Sequence, residues 1–224
     1  MSNSFRTTNS TGLINKDKKI NFTFNGTIYH GYEGDTLASA LIANGVHLVG
    51  RSFKYHRPRG FLGVGVEEPN AMVQLHDGNK SEPNIIATEV ELVEGLKAKS
   101  QNCWPSVQFD IGEINNVLNR FFPAGFYYKT FMWPKSFWMK IYEPFIRKAA
   151  GMGKAPLLPD PDRYEHNYEH CDVLVVGSGP SGLASALAAA KNGARVILAE
   201  DKPNFGGSLL TDEVTIGNMS GKEW

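Results

Sequence analysis

Cysteine is scarce in this chain: only Cys103 and Cys171 occur among 224 residues. Two thiols cannot build a disulfide framework, a four-cysteine zinc site or a cysteine-ligated iron–sulfur cluster. Such sparing use suits a reducing compartment, which reads as cytoplasmic. An excess of one charge is also missing. Twenty-three basic residues balance twenty-three acidic ones, so no global field gathers nucleic acid or an anionic membrane. No apolar run approaches about 18 residues, which argues against a membrane span. Met1 to Gly12 is mostly polar, and no apolar stretch follows a basic start as a signal peptide requires. Internal repeats and low-complexity tracts are lacking too. What is present, 42% apolar and 21% charged residues, is the composition of a globular protein of one or two domains.

Three segments differ in character. Residues 18–98 read as β-rich with one helix. Asn21 to Phe24 and Thr27 to His30 flank Asn25-Gly26, a hairpin pair able to take φ > 0 at both central positions. Asp35 offers an N-cap for a helix through Leu37, Ala40, Leu41 and Asn44, which Gly45 ends. Hairpin then helix is the opening of a β-grasp domain, ubiquitin- or ferredoxin-like. Its remaining strands are expected at Ala71 to Leu75 and Ile85 to Val93. No cysteine precedes Cys103, so this domain is expected to be clusterless.

Residues 101–170 concentrate aromatic side chains: Phe121, Phe122, Phe126, Tyr127, Tyr128, Phe131, Trp133, Phe137, Trp138, Tyr142 and Phe145. Pro123, Pro134 and Pro144 interrupt them. That pattern predicts short helices laid on another surface, either the flanking domains or a partner subunit. Lys154 to Arg163, with Pro156, Pro159 and Pro161, reads as a stiff linker.

Residues 171–224 carry the chemistry. Asp172 opens the apolar run Val173 to Val176, the pattern of a buried parallel strand. A turn follows at Gly177 to Gly182, then an Ala-rich helix to Asn192, then a second strand from Arg195 to Ala199. Gly177-Ser178-Gly179-Pro180-Ser181-Gly182 fits G-x-G-x-x-G in the strand–turn–helix setting the motif requires. Gly177 permits the tight turn, Gly179 lets backbone approach a pyrophosphate, and Gly182 lets helix and strand pack closely. The helix N-terminus offers free N–H groups to phosphate. Glu200, at the end of the second strand, is placed to accept from ribose hydroxyls. The spacing from Glu200 through Asp201 and Lys202 to Gly206-Gly207 serves FAD and NAD alike. With no Arg directly after the acid, NADP is disfavoured. The expected fold class is therefore α+β: a β-grasp domain, then the start of an α/β Rossmann dinucleotide-binding domain that the chain does not complete.

Arg51, Lys54, His56, Arg57 and Arg59 form a basic cluster in a neutral chain. It reads either as a solvated loop or as a site for phosphate or an acidic partner surface. A metal-binding or basic role for His56 lacks an acid or second His close in sequence. Cys103 reads as a buried small hydrophobe. No metal ligands and no catalytic residues are assigned.

Four stretches carry a family resemblance: Gly34 to Leu41, Val49 to Gly60, Pro123 to Pro134, and Asp160 to His166. From about Ile20 on, the chain closely resembles the N-terminal part of the α subunits of heterotetrameric sarcosine oxidases. Opine oxidase and cyanide synthase subunits are the nearest competitors, and a non-catalytic binding module is a further alternative. The resemblance implies a much longer subunit with a folate-binding C-terminal region. Such complexes oxidatively demethylate sarcosine to glycine, release H2O2, and pass a one-carbon unit to tetrahydrofolate. It implies partner β, γ and δ subunits, with flavins carried by the β subunit. On this chain it implies NAD and ranks FAD below it. Contacts would fall at Ser181, Glu200, Asp201, Lys202 and Ser208, joining Gly177, Gly179, Pro180, Gly182 and Gly207. The 224 residues alone would be inactive.

Overall fold

The fold was read from a computed structural model that describes residues 5–6, 14–76, 80–125, 131–149, 151–153, 155–202, 204–210 and 214–224. Phe126, Tyr127 and Tyr128 of the aromatic stretch, Lys154 at the head of the linker and most of the polar N-terminus lie outside the described residues. The chain divides into two units. One is built from residues 1–9 and 14–161, the other from 10–13 and 162–224.

In the first unit β1 (Asn15–Phe24) turns through Asn25 (φ 51°) and Gly26 (φ 82°) into the antiparallel β2 (Thr27–Glu33). The left-handed pair at Asn25-Gly26 matches the strand twist, as the hairpin pattern predicts. Ile20, Phe22 and Phe24 alternate inward along β1 and are buried. Helix α1 (Leu37–Ala43) presents Leu37, Ala40 and Leu41 to the same core.

The helix starts one residue later than the sequence suggests. Thr36, not Asp35, is the N-cap: its side chain accepts from Ser39 N while Ser39 Oγ accepts from Thr36 N. This capping box satisfies two donors reciprocally. Asp35 is turned inward instead.

After the short pairing of β3 (Gly50–Arg51) with β4 (Pro58–Arg59), strands β5 (Met72–Leu75), β6 (Glu82–Ile86) and β7 (Lys97–Ser100) complete a five-stranded sheet. Its order is β2-β1-β7-β5-β6, with β1 and β7 parallel and the other pairs antiparallel. This mixed sheet with one packed helix is a β-grasp arrangement.

The expected strand from Ile85 to Val93 is shorter. It ends at Ile86 because the next residues serve the helix. Leu37 N donates to Val90 O (2.8 Å) and Ala38 N to Ala87 O (3.1 Å), so first-turn donors find carbonyls from this segment.

Beyond the sheet the chain forms short turns: a 3-10 turn at Ile111–Glu113, α2 (Ile114–Val117), further turns at Asn119–Phe121 and Lys135–Phe137, and α3 (Glu143–Ala149). Phe121, Trp133 and Phe145 are exposed on this segment.

The second unit holds β8 (Val173–Val176), α4 (Pro180–Lys191) and β9 (Val196–Ala199). The strands are parallel, with Val173 opposite Val196 and Val176 opposite Ala199. Parallel strands need a crossover, and α4 supplies it. Leu174 and Val176 are exposed in this unit, in contrast to the buried strand expected from the apolar run. Among the described residues no helix is long and apolar enough to cross a membrane.

Candidate dinucleotide site

The turn after β8 is shaped by glycine. Gly177 has φ 93°, open to glycine at little cost, and its N–H donates to Ala199 O at 2.8 Å, fixing the turn against the end of β9. A Cβ on Gly182 would overlap the Gly177 carbonyl oxygen and lie 3.5 Å from Val175 Cγ1. Helix and turn are therefore packed without room for a side chain. At Gly179 the reverse holds: a Cβ would meet nothing within 4 Å. Open space over the middle glycine is what a backbone approach to a pyrophosphate needs.

Gly179 is the N-cap of α4 and Pro180 its first residue, where the missing N–H costs nothing. Leu183 N already bonds Gly179 O at 2.9 Å. Ser181 and Gly182 N–H stand in the first turn, where intrahelical acceptors run out. The exposed Ser181 side chain lies beside them.

Glu200 is drawn into this turn. Its Oε2 accepts from Ser178 N (2.7 Å) and from Ser178 Oγ, and its Oε1 from Asp201 N (3.0 Å) and Lys202 N (3.2 Å). These donors hold its pKa down to about 2, the Ser178 hydroxyl first and the Ser178 N–H next. The carboxylate is thus ionised and fixed in direction at neutral pH.

Ser178 is buried and also receives Gly206 N on its carbonyl oxygen at 3.0 Å. Gly207 (φ 54°) lies so close that a Cβ there would be 3.0 Å from Gly179 Cα. The structure thus gathers Gly177, Gly179, Pro180, Gly182, Glu200, Asp201, Lys202 and Gly207 around one turn, with Ser208 exposed on the 3-10 turn Gly207–Leu210. Sequence reasoning missed Ser178, treated as a variable position of the motif. A small hydroxyl between two glycines, with an acid at the end of the next strand, was the available signal.

The basic cluster in the first unit is spent largely on internal ties. Buried Arg51 donates from Nε to Val107 O (2.9 Å) and from Nη1 to Glu113 Oε2 (3.1 Å). Lys54 Nζ reaches Pro123 O (3.1 Å), and Arg57 Nε reaches Asn116 Oδ1 (2.7 Å). Cys103 is only half-buried, not enclosed as expected; burial first, and then Asp110, push its thiol pKa up. Among the described residues no group of three His, Cys, Asp or Glu is placed to hold a metal ion.

Residues 17–103 match the family model described as a 2Fe-2S iron–sulfur cluster binding domain, and residues 172–221 match that of FAD dependent oxidoreductases. The first match agrees with the β-grasp fold, but the residues present do not fit the cluster. Four cysteine ligands are the rule for [2Fe–2S], and the matched stretch contains Cys103 alone. The second match runs against ranking FAD below NAD.

The chain is 57% identical over 213 residues to the sarcosine oxidase subunit alpha of Rhizobium meliloti (strain 1021), covering 95% of this chain and 22% of that protein. It is 33% and 32% identical to the subunits of the same name from Corynebacterium sp. strains U-96 and P-1, each over 88% of this chain and 16% of the relative. The chain therefore spans about a fifth of the length of the curated relatives it matches. Over nearly all of its own length it is homologous to sarcosine oxidase alpha subunits.

Proposed function

We propose that this chain is the nucleotide-binding and assembly portion of an alpha subunit in an enzyme that oxidatively demethylates sarcosine. In this reading residues 18–98 form the β-grasp domain, 101–170 an aromatic connector, and 171–224 the opening of a Rossmann domain. The observation that carries it is the turn at Gly179, which is open where a pyrophosphate must approach and faces a fixed, ionised carboxylate at Glu200.

The residues fit a dinucleotide. Ser181 and Gly182 N–H would take the pyrophosphate at the positive end of α4, and Glu200 would orient the adenosine ribose. Asp201, Lys202, Gly207 and Ser208 would flank it. Fixed negative charge at Glu200 repels a 2′-phosphate, so the ligand carries a free 2′-hydroxyl. Both NAD and FAD meet that requirement. The sarcosine oxidase resemblance favours NAD, and the match to FAD dependent oxidoreductases favours FAD. Either, when bound, supplies hydride chemistry; the residues of this chain bind and orient it.

Exposed Phe121, Trp133 and Phe145 suit the assembly role, because aromatic anchors dominate contacts between subunits. Partner β, γ and δ subunits would cover them, and the flavins of the β subunit would perform the amine oxidation.

Mass analysis of nucleotide released from the purified complex tests the reading. One NAD or FAD per alpha subunit, lost in Gly179→Val, is expected. A complex that oxidises sarcosine yet holds no dinucleotide on this subunit would overturn it.

A further inference from the structure

The first unit contains a preorganised imidazole that neither the nucleotide turn nor the basic loop accounts for. His56 Nδ1 lies 2.6 Å from Asp110 Oδ2, although the two are 54 residues apart in sequence. Asp110 is buried, and its other oxygen accepts from Trp104 N and Gly112 N, each at 3.1 Å. The carboxylate is therefore fixed before it meets the ring.

His56 itself is held from several sides. Its N–H donates to Ser52 O (3.1 Å) and its carbonyl accepts from Arg51 Nη1 (3.1 Å). Gly112 packs flat against the ring, with no room for a Cβ. The backbone sits at φ 52°, a left-handed conformation costly for a residue with a side chain. Conformations of this kind persist where the surroundings over-determine them, and they gather at functional sites.

The ring's other nitrogen is not used in the same way. Every sealed side-chain nitrogen or oxygen among the described residues has a hydrogen-bond partner, and His56 Nε2 has none, so it is not sealed. His56 lines a cleft of about 940 Å³ within this unit. That volume lies in the range of small-molecule sites. Among the described residues its acidic and basic lining is His56, Asp110, Lys99 and Lys148; Asp110 is already committed to the imidazole and Lys99 has a partner of its own, which leaves Lys148. The sign left to a ligand is positive. Trp104 and Leu157 supply apolar wall.

We propose that this cleft is a second ligand site, separate from the nucleotide turn, that takes an organic anion with an apolar body. Its acid group meets His56 Nε2 and the Lys148 ammonium, and its body rests on Trp104. With a proton on each ring nitrogen the imidazole would donate to Asp110 through Nδ1 and to the ligand through Nε2. Asp110 is a positioning residue, aiming the ring as carboxylates aim histidines elsewhere.

Calorimetry with the full-length protein, using benzoate and phenyl phosphate as separate probes, tests this. Saturable binding of at least one probe is expected, and the preferred probe identifies a carboxylate or a phosphate ligand. His56→Asn keeps a residue that tolerates left-handed backbone, and Lys148→Ala alters only an exposed side chain. Each should weaken the preferred probe by about tenfold, as loss of a charge-assisted hydrogen bond does. Failure of both probes to bind saturably, or unchanged affinity in either variant, would overturn the proposal.

Discussion

Arg6 and Asp35 form a bidentate pair, Nη1 to Oδ1 at 3.0 Å and Nη2 to Oδ2 at 2.7 Å, which ties Arg6 to the β-grasp core. Asp35 is 1% exposed and also accepts from Tyr32 N (2.8 Å) and Ser39 Oγ (2.7 Å). Asp35→Ala strands three sets of donors around a buried site. It should cost about 3 kcal/mol of stability, read as a lower midpoint in urea with an unchanged slope. A loss below about 1 kcal/mol would mean that water replaces the carboxylate.

Gly31 on β2 faces the same carboxylate. A Cβ there would lie 2.5 Å from Leu92 Cδ2 and 3.0 Å from both Ala40 Cβ and Asp35 Oδ2. Gly31→Ala should therefore destabilise by about 1–3 kcal/mol through overpacking, measured by thermal unfolding. An unchanged midpoint would show that Leu92 yields freely.

The two glycines of the turn should fail differently. Gly179→Val fills open space, so folding should be nearly unaffected while dinucleotide retention is lost. In Gly182→Ala the new Cβ overlaps the Gly177 carbonyl, so stability should fall together with retention. Parallel unfolding and nucleotide-release measurements separate the two.

Glu200→Ala should weaken the dinucleotide by about ten- to hundredfold, since it removes charge-assisted hydrogen bonds to ribose. The carboxyl sits at about 2, below its ordinary 4.5. The folded-state value is depressed, so its contribution is fully present above 4.5 and lost as pH falls towards 2. That window concerns folding; in the folded protein the carboxylate stays ionised until pH approaches 2, so retention at this residue should stay level from neutral pH to well below 4.5. Ser178→Ala removes the largest cause of the depression, so loss should then begin at higher pH. Titrating retention in both proteins checks it.

Purified protein should contain no stoichiometric iron from the first unit, despite its match to a 2Fe-2S binding domain, because Cys103 is the lone thiol in residues 17–103. Elemental analysis and the visible absorbance of the protein decide this.

Much of this fold is legible from local chemistry. Asn25-Gly26 announces the hairpin, alternate apolar residues 20, 22 and 24 announce the inward face, and the glycine fingerprint announces a turn between strand and helix. Pattern fails where a distant partner decides. Asp35 is a good N-cap by type, but Arg6 and Tyr32 take it inward and leave the cap to Thr36. Ile85 to Val93 has strand composition throughout, yet its second half is bent to supply carbonyls to the start of α1. His56 is isolated in sequence because Asp110 reaches it from another segment. Ser178 escapes notice because its role depends on Glu200 being folded back on it.

The contact of Gly207 with Gly179 joins two stretches that sequence comparison would treat as separate motifs. Position 207 cannot accept a side chain without pressing on the backbone of 179, whose Cα a Cβ there would approach to 3.0 Å. Anyone transplanting this nucleotide turn into another scaffold would have to carry Gly206 and Gly207 with the fingerprint. A graft limited to residues 177–182 would import the loop without the surface that holds its shape.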